Sequence, residues 1–579
     1  VTLRNLKARG FETGLQMKDC KAPLVEGCEF SGNYTNPDFG WGEMPSRGGI
    51  ILKGVQWGVF RENKANHVWD ALSLDRCDDN LFIDNDFSHT TNVCAKLWES
   101  SRNKFIDNDL SYGIRIDRPK GEVHARDSTS VLIESGSNDN YFYKNSIVHG
   151  GDGVFIRPLN GWVSTGNLFV ENDTSFANNN CVESWSPGNV YIRNVANHGS
   201  YGFWLGGSDR TVLIGNEASY NGLADGYHNA PEPGFSHGGI VIVGGSSTHT
   251  VIEGNRAVGN NGGGIVFRGD KDGKWKTEHW IIQQNHLEGN QWPIWGRYGD
   301  WIAIGPNARI DNANPDSIEE TSDVVALQGE AKAAPVAKLR GPSRATVGQE
   351  VVFDASSSVG ATSYAWEIEG RKFATPSVRH RFTRPGFYRV GVNAIHDGLA
   401  DMESRNVLVV EKGVEEIGTE GTAALWTGDN GYVFEDDEDT VLGSTSLRMT
   451  PAKYQGQYAT ATLPGKWSLQ GKKTLVFYMK AQNPNIPAFQ SAGPVITLAS
   501  AKGSVRLQPA KEQNLYVGLP YSEARETWMR VEIPLAGSEA WDRKDEGKPD
   551  LRTVTGISLA MDSWGGEPFT LWLDGMHFE

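Results

Sequence analysis

The chain is short of cysteine, of net positive charge and of long apolar runs, and each shortage excludes something. Five cysteines among 579 residues, Cys20, Cys28, Cys77, Cys94 and Cys181, show no close pair repeated downstream of the kind that ligates zinc. They are expected as buried small hydrophobes; one disulfide stays open, but an odd count cannot pair completely. A formal charge of -16 and a pI near 5.4 argue against a nucleic-acid partner, because polyanion binding needs a basic face. No run of 18 apolar residues exists, so no membrane-spanning helix is expected. Long amphipathic helical patterns are also missing, and 68 glycines suit a turn-rich β protein.

What is present is a repeat. An Asn recurs at Asn63, Asn85, Asn108, Asn145, Asn172, Asn194, Asn216, Asn255 and Asn285, each just after a short apolar strand such as Leu81-Phe82-Ile83. The gaps are 22, 23, 37, 27, 22, 22, 39 and 30 residues, so a unit of 22 is kept and sometimes lengthened by an insertion. That period suits one coil of a β-solenoid. A single coil cannot bury its apolar face, but coils stacked about 4.8 Å apart gain hydrogen bonds and a core together, and the asparagines then form a ladder.

The segments "NLFIDN", "NKFIDN" and "TVLIGN" resemble the right-handed parallel β-helix proteins, the pectate-lyase-like and NosD-repeat group. The resemblance covers residues 1–311 and implies a scaffold that hosts many unrelated reactions. The chain opens inside a strand pattern at Val1-Thr2-Leu3-Arg4-Asn5, without an initiator Met, so a secretion leader and further coils are expected to precede it. Residues 312–334 break the period and are expected as a linker, or as chain running back along the helix surface.

Two smaller β modules are expected downstream. Residues 335–411, with "VGQEVVFDASSS", a core Trp366 and "RPGFYRVGV", resemble a PKD domain, an immunoglobulin-like sandwich; "WEIEG" departs from the family's usual loop, which leaves a spacer role. Residues 412–579, with "GSTSLRM", "TLVFYMKA", "WMRVEIPL" and "FTLWLDGMHFE", resemble the jelly-roll modules of the carbohydrate-binding kind. That resemblance implies a structural calcium at Glu435, Asp436 and Asp574, since hard oxygen ligands suit this ion; a solvated acidic loop is the alternative. It also implies sugar stacking by Trp426, Trp541 or Trp564, each equally readable as core. The expected class is thus all-β: a right-handed parallel β-helix, an immunoglobulin-like (PKD) sandwich and a jelly-roll β-sandwich, with no organic cofactor.

Chemistry is expected on one solenoid strip. Aligning one strand per coil on the preceding Asn gives residues 71–75, 94–98, 130–134, 153–157, 181–185 and 202–206. Strict alternation puts Ser73, Lys96, Leu132, Phe155, Glu183 and Trp204 outward in one column, and Asp75, Trp98, Glu134, Arg157 and Trp185 in the next. Carboxylates, bases and large aromatics on one face suit a groove that stacks sugar rings and transfers protons. The long gaps place insertions at 32–48, 112–128 and 221–238 along one edge, carrying Trp41, Arg118, His124, Arg126, His228 and His237. His67, His89, His149 and His198 each follow a ladder Asn by four residues and are expected as a ring stack with Tyr112, Phe176 and Tyr220; His149 is singled out because Asp152 and Arg157 follow closely.

Three functions fit. The leading expectation is a secreted, monomeric glycoside hydrolase acting on a polysaccharide, with Glu183 as general acid, Asp75, Glu134 or Asp152 as base or nucleophile, and Trp98, Trp185, Trp204 and Phe155 as platforms, His124 and His237 reaching the chain from the loops. The alternative is a lyase or C5-epimerase on uronate chains, with Lys96 or His149 as base and Arg157 neutralising the enolate. A non-catalytic carbohydrate-binding solenoid is the third.

Overall fold

The computed structural model describes residues 1–36, 45–117, 122–123, 128–158, 163–222, 237–272, 276–319, 322–451, 458–481, 495–510, 528–562 and 570–579. Short apolar segments of three residues, Leu81–Ile83 and its equivalents, stack in register into one parallel sheet, and longer strands, among them Val68–Asp75, Thr90–Trp98, Thr129–Glu134, Asp152–Arg157, Asn180–Ser184 and Tyr201–Leu205, stack into a second. Later coils add a third, three-stranded sheet. The central residue of each short segment points inward, so Phe60, Phe82, Phe105, Phe142, Phe169 and Tyr191 form a buried stack with ring centroids 4.6–5.3 Å apart.

The asparagine ladder runs from Asn63 to Asn307, with Nδ2 of each donating to Oδ1 of the next at 2.9–3.0 Å. Each Nδ2 also donates to a backbone carbonyl of the coil below, as Asn145 does to Phe105, and each Oδ1 accepts a backbone N–H, as Asn145 does from Asn108. The residue before each ladder position from Asn63 to Asn285 is left-handed, and most are not glycine: φ is 54° at Glu62, Asp84 and Lys144. Such strain costs about 1–2 kcal/mol per residue and persists because the amide column over-determines the turn. A second ladder, Asn80, Asn103, Asn140, Asn167 and Asn189, and a third from Asn221 through Asn260 and Asn290 to Asn312, repeat the device at other corners. Among the cysteines, Cys28, Cys77, Cys94 and Cys181 are buried, Cys20 is partly so, and all are free thiols.

The stretch expected as a linker still belongs in part to the solenoid. Ser317–Ile318 pairs with Trp292–Arg297, and Val324–Ala326 pairs with Gly299–Ile304, so coil geometry continues past residue 311. The polar composition misleads there because terminal coils expose their outer edge. Chain then passes directly into a seven-strand module spanning Arg344 to Val410, whose core holds Trp366, Phe353 and Phe382. Its Tyr388 hydroxyl donates to the Arg384 carbonyl at 2.9 Å, the corner device of immunoglobulin-like sandwiches. Gln283 of the solenoid clamps Ala400 of this module through both backbone groups, at 2.8 and 2.9 Å. Among the described residues, the remaining chain forms a sandwich of a six-stranded and a five-stranded sheet. Among the described residues no helix is long and apolar enough to cross a membrane.

Because Asn145 satisfies four buried groups besides its own, Asn145→Ala is expected to destabilise the solenoid by about 2–4 kcal/mol, at about 1–3 kcal/mol per orphaned buried group after partial relaxation. Chemical denaturation followed by circular dichroism reads this directly, and a loss below 0.5 kcal/mol, roughly the surface-substitution level, would contradict it.

Candidate functional site

The strand register places the outward columns side by side. Ser73, Lys96, Leu132, Phe155, Glu183 and Trp204 are successive partners, and Asp75, Trp98, Glu134 and Arg157 are successive partners in the adjoining column. Strict alternation fails at one corner. Ala71 and Leu72, Cys94 and Ala95, and Cys181 and Val182 all lie in the interior core, two consecutive residues facing inward. Small side chains permit that bend, and the residue before each pair is thrown onto the outer face. Asp70 and Asp152 therefore join it, although alternation alone would have buried Asp70 inside; the pairing of a small with a larger apolar residue was the available signal.

The polar centre is a chain of alternating charge. The Glu134 side chain is fully buried and sits between two cations, Arg157 Nε on one oxygen and Lys96 Nζ at 3.5 Å from the other. Lys96 in turn faces Asp70, which accepts from Asn92 Nδ2 at 2.6 Å. Burial pushes the Asp70 carboxyl up from the ordinary aspartate value, against the opposing pull of Asn92 and Lys96. Ser46, at the end of the first insertion, bonds Ser73 at 2.9 Å and helps cover this centre.

A second hydrogen-bonded chain adjoins it. Asp152 is fully buried and accepts from Asn179 Nδ2 at 2.9 Å and from the Asn180 backbone at 3.0 Å. Asn180 Nδ2 donates to one Glu183 oxygen at 2.6 Å, and Trp185 Nε1 donates to the other at 2.7 Å. Trp185 lies on Gly206, where a Cβ would collide with its ring, and meets Trp204 edge-on at 6.4 Å. Trp204 packs at 4.4 Å on Tyr201, whose ring is 5.0 Å from that of the buried His237. Val241, Val243, Val266, Trp292 and Trp295 continue this apolar surface along later coils. The face is thus charged in its N-terminal half and aromatic in its C-terminal half.

Other expected residues stand apart. Asp75 is paired with Lys53 and Arg76, each at 3.1 Å, and Trp98 is bonded to neighbouring Glu99. His149 does not converge with Asp152 and Arg157: its ring is sandwiched between Tyr112 at 4.8 Å and Phe176 at 5.1 Å, in an unbroken stack from His67 to Tyr220. The stack keeps it at the turn, with φ +60°, three residues short of the face. His124, Trp41, Arg118, Arg126 and His228 lie outside the described residues.

The calcium expectation is not met by the donors present. Asp574 is buried and its carboxylate accepts the backbone N–H groups of Val441, Leu442 and Gly575; Asp436 accepts from Trp572 Nε1, and Glu435 from Thr445 and Ala423. Glu435 and Asp436 are consecutive on the strand Gly431–Asp436, so they face opposite sides of the sheet, and the three carboxylates serve three separate hydrogen-bond sets; they do not fit a calcium cage. Among the described residues, only Glu411, His577 and Glu579 come together at metal-ligand spacing, and Arg530 already bridges the two glutamates. Trp426 and Trp541 are core residues rather than platforms, and Trp564 lies outside the described residues.

Residues 13–195 match the family model of a right-handed β-helix region, and residues 332–410 match that of a PKD domain. The chain carries a right-handed β-helix and a PKD domain. Among solved structures, the β-helix is similar to a periplasmic alginate epimerase, at 13% identity over 55% of this chain and 74% of that one, with a TM-score of 0.34. It is also similar to the A-module of an Azotobacter vinelandii mannuronan C-5 epimerase, at 12% identity over 56% and 85%, with a TM-score of 0.31. A family 11 carbohydrate-binding module of a Clostridium thermocellum cellulosomal cellulase is similar at 11% identity over 29% of this chain and 94% of that one, with a TM-score of 0.20. No curated protein matches the chain.

Two stability measurements probe the charged centre of the β-helix. Glu134→Gln leaves two mostly buried cations without their counter-ion and is expected to cost about 3–5 kcal/mol, far above a surface ion pair. Asp70 has its folded pKa raised, so between the unfolded value, about 4, and the folded one the native state holds the extra proton and stability falls as pH rises. Asp70→Asn should flatten that stretch of the stability curve; an unchanged slope would contradict the assignment.

Proposed function

We propose that the protein is a polysaccharide-acting enzyme whose reaction takes place on the outer β-helix face, and that this reaction is proton abstraction beside a uronate carboxylate, leading to elimination or C5-epimerisation. The observation that carries this reading is the Asp70, Lys96, Glu134, Arg157 chain, which sets two cations at the centre of the groove while its carboxylates already serve as acceptors. A uronate ring stacked on Trp185 and Trp204 would lay its carboxylate toward Arg157, whose guanidinium neutralises the enolate as it forms. Lys96 takes the C5 proton, having passed its own to a flanking carboxylate. When the C4–O bond breaks, the departing O4 takes the proton from the Lys96 ammonium and an unsaturated sugar remains; when water instead returns a proton to the opposite face of C5, the epimer forms.

Hydrolysis, the leading expectation from sequence, is the second reading, and one observation favours it: buried Asp70 has the raised pKa wanted in a proton donor. Glu183 is less suited to that role, because both its oxygens accept from N–H donors and it fixes Trp185 in place. A polymeric substrate agrees with the secreted setting expected from sequence.

Incubation with polyuronates and with neutral glycans separates the readings. Unsaturated, ultraviolet-absorbing ends mark elimination, solvent-hydrogen incorporation at C5 without chain cutting marks epimerisation, and fragments one water heavier mark hydrolysis. Lys96→Ala should lower turnover on uronate chains about 10²–10⁴-fold, the usual contribution of a positioned base. Turnover confined to neutral glycans would overturn the first reading.

A further inference from the structure

The C-terminal sandwich presents a second polar surface that the solenoid reaction does not use. Across its five-stranded sheet, antiparallel register sets Phe434 opposite Arg448, Arg448 opposite Trp572, and Trp572 opposite Lys480. These residues form one row on the outer side, since Val433, Leu447, Met449, Met479 and Leu573, their neighbours along the strands, fill the core. Aromatic and cationic side chains alternate along the row: the Arg448 guanidinium lies 5.3 Å from the Phe434 ring centre, and Lys480 Nζ lies 4.1 Å from that of Trp572.

The two halves of the row differ in occupancy. Toward Lys480 the face is closed: Trp528 and Tyr478 are buried with Leu408 and Val410 of the PKD domain, Lys480 is paired with Asp439, and Glu411 binds Tyr478 and Arg530. Toward the edge strand Gly431–Asp436 the face is open. Tyr432 is 58% and Phe434 43% exposed, with ring centres 6.2 Å apart. Arg448 between them and Trp572 makes no hydrogen bond among the described residues; its Nε is buried without a partner, and its closest carboxylate, Asp436, is 3.9 Å away because Asp436 is bonded to Trp572 Nε1 at 2.9 Å. A guanidinium with unused donors, pinned on the exposed Phe434 ring beside Tyr432 and backed by the half-buried Trp572, is a carboxylate receptor with a sugar-stacking surface on its edge-strand side.

We propose that Arg448, with Tyr432, Phe434 and Trp572, forms a binding site for an acidic sugar, a uronate residue of a glycan chain, on the C-terminal module. The guanidinium takes the carboxylate in a bidentate fork, and the exposed rings take the pyranose faces. The PKD contact closes the far half of the sheet, so the site holds a short stretch of chain reached from the edge strand. It stands on its own residues and does not depend on the reaction assigned to the β-helix.

The test is titration of the full chain, by calorimetry, with an oligouronate and with the same oligosaccharide after carboxyl reduction. A chain carrying Arg157→Gln and Trp185→Ala serves as background, so that binding on the β-helix face does not mask the module. Binding of the acidic oligosaccharide, weakened about ten- to a hundredfold by Arg448→Gln and by carboxyl reduction alike, is expected from loss of a charge-assisted hydrogen-bond pair. Arg448→Lys should restore little of it, since an ammonium cannot make the fork. Equal affinity for acidic and reduced chains, absence of binding, or an Arg448→Gln chain that melts unchanged and binds unchanged would each overturn the proposal.

Discussion

The inter-coil amide column is the constraint from which the rest of the molecule follows. Each ladder Asn donates up the stack, donates to a carbonyl of the coil below and accepts a backbone N–H, so a slip of one residue in any coil would orphan several buried polar groups at once. Register is thereby fixed coil by coil, however long the insertion between two rungs. The step from Asn108 to Asn145 spans 37 residues and the step from Asn172 to Asn194 spans 22, yet both rungs measure 3.0 Å. Insertions can therefore vary without disturbing the columns on the outer face, and variable loops over an invariant floor are what a binding groove needs.

Fixed register explains how much could be read before any coordinates. The recurrent Asn gave the coil, the coil gave the alignment, and the alignment correctly paired Lys96 with Ser73 and Leu132 and Glu134 with Trp98 and Arg157. Asp70 escaped because a period-two rule assumes a straight strand, whereas the chain bends at Ala71 with two consecutive residues inward. The second and third Asn ladders were legible in principle, at Asn80 and Asn103 for example, but were masked by the stronger signal five residues away. His149 was drawn toward Asp152 by sequence proximity; ring stacking with Tyr112 and Phe176 along the whole ladder outweighs one local hydrogen bond.

The C-terminal region shows the limit of motif transfer. Glu435, Asp436 and Asp574 occupy positions suggestive of an ion, yet each accepts hydrogen bonds from backbone, hydroxyl or indole donors of the chain itself. Burial of Asp574 raises its pKa to about 6 despite three N–H donors, so desolvation is the larger effect there. Tryptophan positions were equally ambiguous, because a β-sandwich spends its large aromatics on both core and face; Trp426 and Trp541 went to the core, while Trp572, half-buried beside Arg448, went to the face.

Charged groups are costly to bury, and the outer β-helix face buries a whole sequence of them. A solenoid needs nothing there beyond Thr, Ser or solvated charges, so the fully buried Glu134, together with Asp70 and Asp152, is not explained by stacking. Core phenylalanines and amide ladders on the other corners supply stability that this face does not. Spending it on an alternating carboxylate and cation chain, beside aromatic rings left partly open, is the pattern expected where electrostatic preorganisation is wanted more than stability. The same argument separates the two halves of the C-terminal sheet. Where Arg530 and Lys480 meet Glu411 and Asp439 the charges are closed into a domain contact, and where Arg448 has only Asp436 at 3.9 Å and makes no hydrogen bond among the described residues the surface is left for a partner from outside the chain.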